Sequence, residues 1–249
     1  MTVTKTANAA PIPILTYHQI AQAPSKGAPY RSLYVAPEDF ARQMKFLALL
    51  GYRGLSMGDL QPYLRGERYG KVVGITFDDG YVNNLTHALP VLQRHGFTST
   101  CYAVSQHLGK TNSWDLIAGI AQVPLMTGAQ LQQWVAGGQQ VGAHTQNHVH
   151  LPEVSAEQCA QEIGLSRSDL EASTISPVRH FCYPYGDFNA ETVAAVGAAG
   201  LESAATTRRG RCHAGESMLE LPRVPVLRST TRFVFWLKIA TRYEDRRRV

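Results

Sequence analysis

Val72-Val73-Gly74-Ile75-Thr76-Phe77-Asp78-Asp79-Gly80 is a run of strand-forming residues that ends in two adjacent carboxylates and a glycine. A buried apolar strand does not end in two acids for packing reasons. Adjacent like charges repel and raise each other's pKa unless a cation or a proton sits between them, and a metal is the simplest resident. The plain alternative is a helix N-cap, with Asp78 or Asp79 capping a helix that begins near Tyr81.

Upstream of this stretch, Ile12 to His18 reads as a strand whose apolar residues Ile14, Leu15 and Tyr17 deliver His18 at its C-terminal end. Pro37 opens a helix with Glu38 and Asp39 in its first turn and an apolar stripe of Phe40, Met44, Phe46, Leu47 and Leu50, and Gly51 stops it. A short strand near Gly54 to Met57 and a polar stretch follow. Downstream, the pattern predicts helices from about Asn83 to His95, Ala129 to Ala136, Ala156 to Ala172 and Ala190 to Ala199. The strands between and after them are Thr98 to Val104, Gln140 to Thr145, His180 to Tyr183, Ser203 to Thr207 and Leu219 to Val226.

Strands separated by helices of this length imply parallel pairing through right-handed crossovers. Seven or eight such units in one chain favour a (β/α) barrel, complete or incomplete, with parallel strands inside and helices outside. No GxGxxG follows the first strand, which weighs against a dinucleotide-binding sheet. Barrel active sites collect at the C-terminal ends of strands, and His18, Asp78, Asp79, His144 and Tyr185 all fall at such ends.

The 249 residues are 44% hydrophobic and 17% charged, as in an ordinary globular protein, and no linker divides them. The formal charge of +5 is dispersed apart from the terminal Arg246 to Arg248, so no nucleic-acid partner is expected and that run reads as a solvated tail. The four cysteines contain no CxxC pair and suggest neither a disulfide framework nor a cysteine metal site. Met1 to Pro11 lacks the apolar core of a signal peptide, and no segment reaches the roughly 20 apolar residues of a membrane span, so a cytoplasmic protein is expected.

His144 and His148 stand four residues apart, a spacing that puts two imidazoles on one face of a helical turn. Two histidines and one carboxylate form an ordinary ligand set for zinc or another divalent metal. With both aspartates nearby, one can bind the metal while the other takes a proton from a water that the cation polarises. Tyr183-Pro184-Tyr185-Gly186 supplies a tight turn whose backbone N–H groups can receive an oxyanion. Trp114 and Asp115 sit in a loop where an aromatic ring can stack on a sugar face or simply pack, and Trp134 reads as helix core.

Thr76-Phe77-Asp78-Asp79-Gly80, His144-Thr145-Gln146-Asn147-His148 and Pro184-Tyr185-Gly186 together resemble, in order and separation, the first three motifs of the polysaccharide deacetylases of carbohydrate esterase family 4, which carry the NodB homology domain. The resemblance runs from about Pro11 to Leu227. It implies a distorted (β/α) barrel, Asp78 as catalytic base, Asp79, His144 and His148 as ligands of a divalent metal ion with zinc the first choice, and the Tyr185 N–H at the oxyanion. The implied reaction is hydrolysis of an N-acetyl group from an amino sugar in a glycan, and the lack of an export signal makes a lipid-linked or nucleotide-linked precursor a second expected substrate. Where the family places an arginine two residues before the motif proline, this chain has Cys182, and Arg223 in Leu221-Pro222-Arg223-Val224 is the substitute candidate for orienting the base. The family's late leucine-x-histidine is missing after Leu219. Leu15-Thr16-Tyr17-His18 is similar to the permuted poly-N-acetylglucosamine deacetylase branch, which implies His18 as the general acid.

The expected organisation is a flexible tail over 1–10, a NodB-like domain over 11–228 and a basic helical extension over 229–249. In that extension, Phe233 to Ile239 with Arg242 and Arg246 to Arg248 can rest on an anionic membrane or pack against the barrel, so the inner membrane face is a second expected location. Two other functions fit the same residues: an esterase or amidase acting on another acyl substrate, and a carbohydrate-binding module with a decayed site.

Overall fold

A computed structural model describes residues 10–248, so most of the expected N-terminal tail, and Val249, lie outside the described residues. Ten strands form: β1 (Ile14–Tyr17), β2 (Gln19–Ile20), β3 (Tyr34–Val35), β4 (Arg53–Leu55), β5 (Val72–Phe77), β6 (Thr100–Ala103), β7 (Gln140–Ala143), β8 (His180–Cys182), β9 (Ser203–Arg209) and β10 (Leu221–Pro225). The main helices are α1 (Pro37–Leu49), α2 (Met57–Leu64), α3 (Leu89–His95), α4 (Gly128–Ala136), α5 (Ala156–Thr174), α6 (Ala190–Ala198) and α7 (Arg232–Ala240).

Seven parallel strands close a ring in the order β1, β10, β9, β8, β7, β6, β5, and β5 pairs back onto β1 from Ile14↔Gly74 to Tyr17↔Phe77. The expected barrel of parallel strands with outer helices is therefore the fold. It is distorted at one seam. The short β4 pairs only with the first half of β5, at Val72 to Gly74, while β6 takes the second half at Thr76 and Phe77.

Alternation along the strands sorts the side chains into two layers. Leu15, Tyr17, Val73, Ile75, Phe77, Cys101, Ala103, Phe181 and Val224 join the layer between barrel and helices, whereas Ile14, Val72, Tyr102, Cys182 and Leu221 fill the interior. Continuing the inward set by twos along β1, β5, β7 and β10 brings Thr16 and His18, Thr76 and Asp78, His144, and Arg223 to the upper interior. The outer layer is anchored by Tyr17, Phe40, Phe77 and Trp134, whose rings lie 5.2–5.8 Å apart.

The polar stretch expected after β4 is a helix, α2. Ser56 caps it by accepting the Asp59 N–H at 3.2 Å. Gly58 and Pro62 hide it from a propensity reading, but Met57, Leu60 and Tyr63 have helical spacing and enter the interior cluster as the barrel floor. Gly74 admits this plug, since a Cβ there would lie 2.8 Å from Leu60 Cδ2.

The expected helix over 83–95 begins with one π turn, Asn84–Ala88, before α3 ends at Gly96 with φ +61°. The C-terminal extension forms α7, which packs through buried Phe235 and Ile239 and leaves Phe233 and Trp236 exposed. The terminal arginines are partly engaged rather than wholly solvated: Arg248 pairs with Glu216, and Arg247 lies over the Tyr243 ring. All four cysteines are free and buried. Among the described residues no helix is long and apolar enough to cross a membrane.

Candidate active site

The C-terminal ends of the strands open into a pocket of about 330 Å³ bordered by His18, Asp78, Asp79, His144, His148 and Tyr185. Neither aspartate caps a helix. Asp79 has φ +72°, a left-handed turn that sends its carboxylate away from that of Asp78, so the two like charges meet different partners.

Asp78 is gripped from inside the barrel by Arg223, whose Nη1 and Nη2 each donate to one carboxylate oxygen at 2.7 Å. Arg223 is itself fixed: Nε donates to the Thr206 carbonyl at 2.9 Å, Nη1 to Thr76 Oγ1 at 3.1 Å, and Nη2 approaches Cys182 Sγ at 3.2 Å. Position 182, on β8, thus lies against the same guanidinium, two strands away from β10 around the ring. Burial opposes ionisation of Asp78, but the guanidinium prevails and holds its carboxyl below the usual range. His18 Nε2 lies 3.9 Å from Asp78 Oδ2 at the partly open rim. Its backbone is pinned by the Asn84 amide, which donates to the His18 carbonyl at 2.9 Å.

Asp79 Oδ1 lies 3.5 Å from Nε2 of both His144 and His148, and all three groups are buried. Donors about 2.1 Å from a cation at tetrahedral angles sit roughly 3.4 Å apart, so this separation fits a small divalent ion. The His144 ring has the right orientation, because its Nδ1 donates to the Cys182 carbonyl at 2.7 Å and its Nε2 points at Asp79. Burial opposes its charge, but Cys182 and the Asp79 carboxylate raise its pKa well above the usual value, so a cation bound there would take the place of the Nε2 proton. Burial pushes His148 down to about 4, which keeps it neutral and able to ligate at physiological pH. Burial opposes the Asp79 anion too, yet the two imidazoles hold its carboxyl well below the usual range.

The two histidines do not share a helical turn, as their spacing suggests. They converge through a loop after β7 in which Thr145 has φ +63° and His148 φ +58°. Glu162 on α5 holds that loop: its buried carboxylate accepts from the N–H groups of Gln146 and Asn147 at 2.9 Å and from Asn147 Nδ2 at 2.8 Å. Thr145 Oγ1 accepts the His148 N–H at 2.9 Å. Glu162 escapes a sequence reading because it resembles any acid on an amphipathic helix. Its only signal is an acidic residue on the buried face.

Trp114 stacks on His148, with centroids 4.5 Å apart and planes 16° from parallel, while Trp134 is fully buried core. Tyr185 has φ +59° at the expected tight turn and lies flat on His150 at 3.8 Å, which in turn pairs with Asp187 at 2.6 Å. The turn needs Gly186, where φ is +79° and a Cβ would fall 1.8 Å from Thr207 Oγ1.

Such a mouth on such a ring defines a class: parallel (β/α) barrels with a two-histidine, one-carboxylate centre suited to a divalent cation. Residues 65–204 match the family described as Polysaccharide deacetylase, and the chain belongs to that family. Membership implies a hydrolase acting on amide bonds, with acetylated polysaccharide as the substrate class. The chain is 28% identical over 224 residues to YxkH of Bacillus subtilis (strain 168), whose own assignment as a polysaccharide deacetylase is provisional; the match covers 89% of this chain and 74% of YxkH. BC0361, a polysaccharide deacetylase from Bacillus cereus, superposes with a TM-score of 0.78 at 27% identity, over 92% of this chain and 69% of that one. IcaB from Ammonifex degensii shares the fold, with a TM-score of 0.76 at 24% identity over 90% of this chain and 94% of its own.

Proposed function

We propose that the chain hydrolyses the N-acetyl group of an amino-sugar glycan, releasing acetate and leaving a free amine. The observation that carries this reading is that an acid and two imidazoles converge at 3.5 Å, beside a second acid held by arginine. Asp79, His144 and His148 would hold the cation, zinc first given the nitrogen and oxygen donors. When bound, that ion polarises the acetyl carbonyl and lowers the pKa of water.

Asp78 is the general base. Ionised at neutral pH by its contact with Arg223, it takes the proton of the attacking water as the oxygen adds to the acetyl carbon. The Tyr185 N–H, presented by the turn at Gly186, donates to the carbonyl oxygen as negative charge develops there. His18, across from Asp78 at the rim, gives a proton to the amide nitrogen as the C–N bond breaks, so the amine leaves neutral. Arg223 touches no substrate. It positions Asp78 and keeps it charged.

The test joins metal analysis to acetate release. The parent protein carries one equivalent of divalent metal and releases acetate from N-acetylglucosamine oligomers; Asp79→Ala loses the metal, and Asp78→Asn keeps the metal but loses turnover. Turnover of an aryl acetate ester without any release from the oligomers would overturn N-deacetylation. A parent without divalent metal would overturn the assigned roles of Asp79, His144 and His148.

A further inference from the structure

We propose that Asp115 recognises a positively charged amine on the glycan, so that the pocket favours a chain in which the sugar beside the one being processed has already lost its acetyl group. This rests on the N-deacetylase reading above and adds a substrate preference to it. Of the carboxylates lining the pocket, Asp78 is engaged by Arg223 and Asp79 by two imidazoles, whereas Asp115 forms no ion pair among the described residues. Its closest side-chain partner is a neutral amide, Asn112 Nδ2, which donates to Oδ2 at 3.2 Å. Burial, reinforced by the Asp79 charge and opposed in part by the Asn112 amide, the His18 imidazole and the Trp114 indole, raises the Asp115 pKa. A half-buried acid without a counter-ion gains from a ligand that brings one.

The loop that carries Asp115 is fixed in place. Asn112 is fully buried, accepts the Val123 N–H at 2.7 Å, donates to the Ala121 carbonyl at 3.2 Å, and receives the Asp115 N–H on its own carbonyl at 3.0 Å. Trp114 is held against His148, and Tyr30, Tyr34 and Ile120 continue the wall. Aromatic faces beside a lone carboxylate favour an ammonium, by cation–π attraction and by a charge-assisted hydrogen bond. An N-acetylated sugar at the same place offers only a neutral amide, and would cover the acid without neutralising it.

The test is calorimetric titration with a glucosamine tetramer and an N-acetylglucosamine tetramer. The parent binds the amino tetramer about tenfold tighter, a difference of about 1.4 kcal/mol, and the advantage shrinks with added salt. In Asp115→Asn the two tetramers bind within about twofold of each other, and Asp115→Glu restores part of the gap. Equal affinity of the parent for both tetramers overturns the proposal without any variant, as does an undiminished preference in a folded Asp115→Asn. Absence of acetate release from every glycan would sink the N-deacetylase reading, and the binding comparison would still decide the role of Asp115.

Discussion

Arg223 and Asp78 meet side by side inside the barrel, two nitrogens on two oxygens at 2.7 Å, although 145 residues separate them in the chain. The guanidinium fork matches a carboxylate in a way that a lysine cannot. Removing one partner strands the other's charge in the interior, so Arg223→Met costs about 3–5 kcal/mol of stability, measurable by denaturant unfolding. A base works only when ionised, so activity falls as pH drops through its pKa. Loss of the arginine raises that pKa, and the acid limb of the kcat/KM profile moves to higher pH. A limb that stays in place in a folded Arg223 variant would remove Asp78 from the role of base.

Cys182 lies against the guanidinium that grips Asp78, with Sγ 3.2 Å from Arg223 Nη2. The double variant Arg223→Ser with Cys182→Arg is therefore expected to regain at least about tenfold of the rate lost in Arg223→Ser alone, since the guanidinium re-enters from β8. Equal rates in the single and double variants would show that the approach from β10 is required.

Proton donation by His18 matters in proportion to the basicity of the leaving group. His18→Asn lowers the rate of amide hydrolysis by about 10²–10⁴-fold and that of an aryl acetate far less, because a phenolate departs without a proton. Parallel kinetics on both substrates measure this. Equal losses would make His18 a positioning residue for Asp78.

Glu162 touches no pocket atom but holds the Gln146–Asn147 backbone in the shape that His148 requires. Glu162→Ala releases the Gln146 and Asn147 N–H groups and is expected to weaken metal binding by about 10–100-fold. Competition with a chelator reads this directly, and unchanged metal affinity would count against the clamp.

Glu244 is fully buried and engages both the buried Lys238 on α7 and, at 2.7 Å, Arg209 on β9. Burial opposes its charge, but Arg209 and Lys238 hold its carboxyl below the usual value. A carboxyl lowered in the folded state stabilises fully above its unfolded pKa of about 4.3, and the contribution vanishes as pH falls through the lower folded value. Glu244→Gln therefore costs about 3 kcal/mol near neutrality, and the gap to the parent closes below about pH 4. Thermal unfolding at several pH values measures it.

The barrel was legible because its evidence is local: a chain that alternates every two residues in strands and returns through helices of similar length has few ways to fold. The motif acids and imidazoles were legible for the same reason, each being delivered by a readable strand. What escaped was α2, where glycine and proline masked a helix whose only signal was three apolar residues at helical spacing. The shape of the His144–His148 loop escaped as well, because its left-handed residues Thr145 and His148 are held in part by Glu162 on α5, a long-range contact that no local pattern announces.

The sequence alone determined that the chain would close a parallel ring and that His18, Asp78, Asp79, His144 and Tyr185 would stand at one end of it, because side-chain direction along a strand is set by covalent geometry. Only the tertiary structure decided which side chains Asp78 and Asp79 would meet, that Arg223 would reach Asp78 beside Cys182, and that Asp115 would form no ion pair among the described residues. Those pairings depend on the order of strands around the ring, which brings together residues that no local pattern connects.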